Sequence, residues 1–91
     1  MIKKACITIC GKVQRVGFRW FVSYTAKNYN LKGFVKNTSD KNVYVEVEGD
    51  ENILNDFIKE IKKGPPLSKV ENVIINYLSA NYLFIDFRIQ E

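Results

Sequence analysis

From Lys4 to Cys10 the chain alternates, with Ala5, Ile7 and Ile9 on one side and Cys6, Thr8 and Cys10 on the other. That is the period-two pattern of a strand with one face buried. Gly11 ends it. From Phe18 or Arg19 to about Tyr29 the period becomes helical: Val22, Ala26 and Tyr29 recur at spacings of four and three, with Phe18, Phe21 and Thr25 on a neighbouring stripe. Gly33 to Thr38 and Asn42 to Glu48 read as two strands around a tight polar turn, the second given an apolar face by Val43, Val45 and Val47. Asp50 is a natural helix N-cap with Glu51 in the first turn. The stripe Ile53, Leu54, Phe57, Ile58 and Ile61 follows, and Lys62-Lys63-Gly64-Pro65-Pro66 supplies a basic last turn and a stop. Val70 to Tyr77 and Leu83 to Ile89 predict two more strands joined by Leu78-Ser79-Ala80-Asn81.

The predicted order is βαββαβ with a short terminal strand, an α+β chain whose two βαβ-like halves suggest the split arrangement of a ferredoxin-like fold. At 91 residues, with 46% hydrophobic content, it is long enough for one core and too short for two, so residues 1–91 are expected to form one domain. Its apolar runs are too short for a membrane span or a signal h-region, which predicts a soluble, cytoplasmic protein with no membrane partner. Cys6 and Cys10 would lie about 13 Å apart on one strand face, too far to bridge. With no histidine in the chain, they offer no zinc site and fit a reducing compartment.

Charge changes the picture more. The net charge of +4 divides unevenly, since residues 1–39 hold eight Lys or Arg and no Asp or Glu, whereas residues 40–91 hold six basic and ten acidic residues. A basic half suits an anionic ligand drawn in by the local field, although a solvated surface or a nucleic-acid face would look the same by charge alone. Arginine usage favours phosphate: of only three arginines, Arg15 and Arg19 fall in the stretch Gly11-Lys12-Val13-Gln14-Arg15-Val16-Gly17-Phe18-Arg19. The guanidinium fork grips phosphate in a way that lysine's point charge does not. The stretch leaves a strand and opens a helix, where backbone N–H groups converge on an anion.

Eighteen residues beyond Arg19, Asn37 ends the short run Leu31-Lys32-Gly33-Phe34-Val35-Lys36-Asn37. The two segments, Gly11 to Arg19 and Gly33 to Lys41, resemble the paired signatures of the acylphosphatase family, Gly-x-Val-Gln-Gly-Val-x-Phe-Arg and Gly-x-Val-x-Asn-x-x-Asp-Gly. The resemblance implies an antiparallel sheet with two helices on one face and an enzyme that hydrolyses acyl phosphates. It implies a small-molecule acyl phosphate as substrate, inorganic phosphate as product and inhibitor, no metal, no cofactor and no covalent intermediate, in a monomer. Arg19 and Asn37 would be the catalytic residues, and Gln14, Arg15, Val16, Gly17, Phe18 and Arg19 the substrate-binding set. Without the motif, Arg19 would pass for a first-turn surface residue and Asn37 for a strand-end residue. Arg15 stands where the family pattern has glycine, so this position must take an L-residue's φ or the loop must shift. Lys41 also replaces a glycine, and Asn42 is expected to supply the left-handed conformation of the turn.

The chemistry left by the composition agrees. With no histidine, no Ser-His or Cys-His pair is possible, and Gly11 to Gly17 does not have P-loop form. An acyl phosphate is the phosphoester that least needs such groups, because its leaving carboxylate has a pKa of about 4 and requires no general acid. Positioning and charge stabilisation suffice. The competing reading is an RNA-recognition module on the same fold, which would stack bases on its two central strands. Cys6, Thr8 and Cys10 on one strand, with Tyr44, Glu46 and Glu48 on the other, make a poor platform, so no nucleic-acid partner is expected. A regulatory ferredoxin-like module would need neither Arg19 nor Asn37 in these contexts.

Overall fold

The computed structural model describes residues 1–91. Along the chain come β1 (Ile2–Lys12), α1 (Phe18–Asn28), β2 (Lys32–Asn37), β3 (Val43–Asp50), α2 (Glu51–Lys63), β4 (Lys69–Ser79) and β5 (Phe87–Gln90). The five strands form one sheet in the order β4-β1-β3-β2-β5. Alternation in β1 does what it predicts: Ala5, Ile7 and Ile9 face the helices and are fully buried, and register sets them opposite Val47, Val45 and Val43 of β3. Val35 of β2 and Phe87 of β5 extend this layer.

Both helices cover that face, α1 against β2 and β5, α2 against β3, β1 and β4. Val22 and Ala26 of α1 meet Leu54, Phe57 and Ile61 of α2 in one cluster, each side chain fully buried. A buried Val, Leu, Ile or Phe stabilises the fold by about 1.5–3 kcal/mol relative to exposure, so this layer holds the loops at the sheet's end in place. Ile53, predicted on the α2 stripe, lies at its rim, and Tyr29 is half-buried.

The terminal strand departs from expectation in two ways. It begins at Phe87 rather than Leu83, and it lies parallel to β2, so the sheet is mixed. The sheet order explains both. β4 and β5 occupy opposite edges, four strand spacings or about 19 Å apart, and the eight residue steps from Ser79 to Phe87 reach about 26 Å when extended. Residues 80–85 therefore cross the open face instead of pairing, and the Asp86 carbonyl, accepting from the Gly33 N–H at 2.9 Å, makes the first backbone hydrogen bond with β2. Phe84 packs on Phe34 with ring centroids 5.9 Å apart, Lys4 lies over the Phe84 ring, and the Asn81 N–H donates to Glu48 at 2.9 Å. Leu83 and Ile85, alternating as in a strand, stay exposed.

The open face carries the predicted polar positions under this strap. Lys4 Nζ sits 3.9 Å from Glu46 and 3.8 Å from Glu48, and the Tyr44 hydroxyl donates to Glu46 at 2.7 Å. Burial, reinforced by that bond, pushes the Tyr44 phenol well above its ordinary range.

Candidate active site

At Gly11 the β1–β4 register breaks in a bulge. Gly11 has φ 126°, and a Cβ there would collide with the carbonyl of Lys69, so glycine is the residue that lets the strand turn out of the sheet. The chain then forms a loop from Val13 to Gly17 in which Val13, Gln14 and Val16 turn toward the protein while Arg15 stays exposed. Val13 and Phe18 are buried, and Val16 packs against the core. The Gln14 side-chain amide donates to the carbonyls of Thr38 at 2.9 Å and Asn42 at 2.8 Å, fastening the loop to the β2–β3 turn. Of the predicted binding set, Gln14, Val16 and Phe18 thus commit their side chains to holding the loop and have only backbone groups to offer a ligand.

Those groups are free. None of the N–H groups from Gln14 to Trp20 donates to an acceptor in the protein. Gly17 precedes α1 in a left-handed conformation, φ 79°, with no side-chain cap and no acidic residue in the first turn. Arg15 also takes a left-handed φ, 62°, so the loop keeps a shape that suits glycine and carries an arginine in it. A run of unpaired amides at a helix N-terminus is an anion cradle, with the helix dipole adding to its positive field.

Arg19 projects from the first turn of α1, and Asn37 ends β2 with the parity of Val35, on the helical side of the sheet. The fold brings them together. Both line one cleft of about 300 Å³, which Arg15, Gly17 and Trp20 share. Arg19 Nη1 donates to the Gln90 carbonyl at 3.3 Å and lies 3.7 Å from Glu91 Oε1. The Glu91 side chain is 96% exposed, so the ion pair is weak and easily displaced. The peptide carbonyl does the orienting.

Trp20, Ile89 and Glu91 at the cleft were not legible as site residues. Trp20 stacks on Tyr24 along the exposed side of α1, at 5.1 Å and 12°. Its place beside Arg19 is the one signal the sequence offers. Ile89 and Glu91 arrive from the other end of the chain through the parallel pairing of β5, which periodicity does not encode.

The acylphosphatase family model matches residues 5–89. The chain belongs to the acylphosphatase family. It is 43% identical over 82 residues to an acylphosphatase of Bacillus pumilus, covering 90% of this chain and 91% of that one. It is 45% identical over 74 residues to an acylphosphatase of Thermotoga petrophila, covering 81% and 82%. Its fold matches the crystal structure of acylphosphatase from Bacillus subtilis with a TM-score of 0.95 and 36% identity over the full length of both chains. It is therefore an enzyme of the acylphosphatase kind, and the ferredoxin-like architecture read from its periodicity is that of its relatives. No helix is long and apolar enough to cross a membrane.

Proposed function

We propose that residues 1–91 form a single catalytic domain that cleaves the carboxyl-phosphate bond of acyl phosphates by direct attack of a positioned water, with no metal and no covalent intermediate. One observation carries this reading: unpaired amides, Arg19 and Asn37 converge on one cleft. The amides of Gln14 to Phe18 and the Arg19 fork hold the phosphoryl oxygens and stabilise the charge that spreads over them in the transition state. The Asn37 amide orients the water. The water oxygen bonds to phosphorus, the phosphorus bond to the acyl oxygen breaks, and the carboxylate leaves with the electron pair while both protons of the water stay with inorganic phosphate as the dihydrogen anion.

The donor set supports anion chemistry. Cations and N–H groups dominate the cleft, its one carboxylate, Glu91, is turned to solvent, and no His, Cys, Asp and Glu group of metal-binding size occurs in the chain. The open face favours this over base stacking, since Phe84 lies across it and Glu46 and Glu48 stand on it beside Lys4. The same reading takes the enzyme as a cytoplasmic monomer, with both cysteines free and with product phosphate as a competitive inhibitor.

Phosphate release from benzoyl phosphate, compared with an alkyl phosphate ester and repeated in EDTA, tests it. Turnover of the acyl phosphate alone, unaffected by chelator, is the expected result. Loss in EDTA restored by a divalent ion would overturn the metal-free mechanism, and no release from benzoyl phosphate would overturn the activity.

A further inference from the structure

Two residues in this chain combine a left-handed backbone with a long cationic side chain, and they face each other across one groove. Arg15 has φ 62° in the cradle loop, and Lys41 has φ 69° in the β2–β3 turn. Glycine would take either conformation freely, whereas residues bearing a Cβ seldom do. Both side chains are exposed, so burial gives neither position a reason to hold a long side chain. With Lys12, they line a groove of about 400 Å³ floored by Gly11, Val13 and Gln14. The two bonds from the Gln14 amide to the turn carbonyls keep its rims in register.

None of the three cations is in a salt bridge. Asp40, beside Lys41, is engaged by the Thr38 hydroxyl and the Asn42 amide, and Glu71, whose side chain lies beside Gly11, pairs with none of them. The groove adjoins the phosphoryl cleft, because Arg15 and Val13 line both. A phosphoryl group seated at Arg19 thus has a second cationic site next to it, reached past Arg15. We propose that this groove binds a second anionic group, a carboxylate or phosphate, on the acyl portion of the substrate, so that the enzyme prefers acyl phosphates with an anionic far end. The proposal rests on the acyl phosphate reading of the adjoining cleft.

The test compares 4-carboxybenzoyl phosphate with 4-methylbenzoyl phosphate, rigid substrates that differ in far-end charge. Wild type should favour the carboxylate in kcat/KM by about fivefold at low ionic strength, and the preference should shrink in about 0.5 M salt. Arg15→Gly and Lys41→Gly install the residue that each φ favours, so misfolding does not confound them. Each should lower the ratio, the double variant should bring it close to one, and Lys41→Glu should push it below that. A wild-type ratio at or below one, or a ratio unchanged in the double variant, overturns the proposal. If neither substrate is turned over, the activity reading fails but the groove remains testable by calorimetry with (4-carboxybenzyl)phosphonate and (4-methylbenzyl)phosphonate. Tighter binding of the carboxylate, lost in the double variant, supports the groove; equal binding overturns it.

Discussion

The two helices begin in opposite ways. At the start of α2, Asp50 accepts from the Asn52 N–H at 2.9 Å, the Glu51 N–H donates to the Met1 carbonyl at 3.0 Å, and Glu51 places a carboxylate in the first turn. Every element of that end satisfies an orphan donor or complements the dipole. At the start of α1, Gly17 offers no side chain, no acid follows, and Arg19 puts a cation at the dipole's positive end. Such a cation is unfavourable by about 0.3–1 kcal/mol. One terminus has its donors capped, and the other leaves them unpaired, as the proposed anion site requires. Only the second has a reason to forgo its cap.

Arg19→Ala should break the functional end most completely. Turnover of benzoyl phosphate should fall on the order of 10³-fold or more, as for other arginines that stabilise a transferring phosphoryl group. Thermal stability should change little, because the lost contacts to Gln90 and Glu91 lie at the surface and offset relief at the dipole. A large drop in Tm accompanying the lost activity would show that the comparison is mistaken. Asn37→Ala should also be nearly inactive yet retain phosphate affinity. Equal loss of phosphate inhibition in both variants would contradict a water-positioning role for Asn37.

The converse change is Asp50→Ala. It should lower Tm by a few degrees and leave kcat/KM near wild type, since the cap lies at the other helix. The Asn52 N–H first, and then the N-terminal ammonium, hold the Asp50 carboxyl below its ordinary value of 3.8. A carboxyl lowered on folding contributes stability that is present above its unfolded value and lost as pH falls through the folded one. The gap in Tm between wild type and variant should therefore close below about pH 3.8. A gap that persists into stronger acid would mean that the charge of Asp50 is not what stabilises this end.

Much of this contrast was legible in the sequence. Asp50 and Glu51 read as a cap, and the loop ahead of Arg19, with no acid and no capping side chain, read as an open helix start, whereas the roles of Arg19 and Asn37 came from the motif resemblance. Alternation located the strands but could not name their neighbours. The parallel placement of β5, and with it the contacts of Ile89 and Gln90 around Arg19, depends on a segment that alternates like a strand yet has to cross the sheet. The turn shows a subtler limit. Asn42, the better left-handed residue by type, is held by its N–H bond to the Thr38 hydroxyl at 3.1 Å, while the Lys41 N–H closes on the Thr38 carbonyl at 3.2 Å. Lys41 takes φ 69° instead. Hydrogen bonding across the turn overrode intrinsic preference.

Arg15 sharpens the comparison at the smallest expected effect, because it tests how far the open terminus has been fitted to its ligand. Two consequences of Arg15→Gly oppose one another. Relief of the left-handed φ is worth about 1 kcal/mol to the folded chain and would firm up the cradle. Removing a cation that faces a phosphate dianion forfeits about 2 kcal/mol in water at a contact of about 4 Å, but only about 0.7 kcal/mol at about 12 Å, the range over which an exposed guanidinium acts through its field. Relief acts on the protein with or without ligand and so appears mainly in Tm, whereas the lost cation acts only on the complex and so appears in the inhibition constant. The expected outcome is a slightly higher Tm with phosphate inhibition weakened by about threefold at low ionic strength, and by less in high salt, where an exposed charge is screened. Inhibition constants for wild type and Arg15→Gly at two ionic strengths decide it: unchanged or tighter phosphate binding in the glycine variant would show that the cradle's amides and Arg19 hold the anion without this second guanidinium.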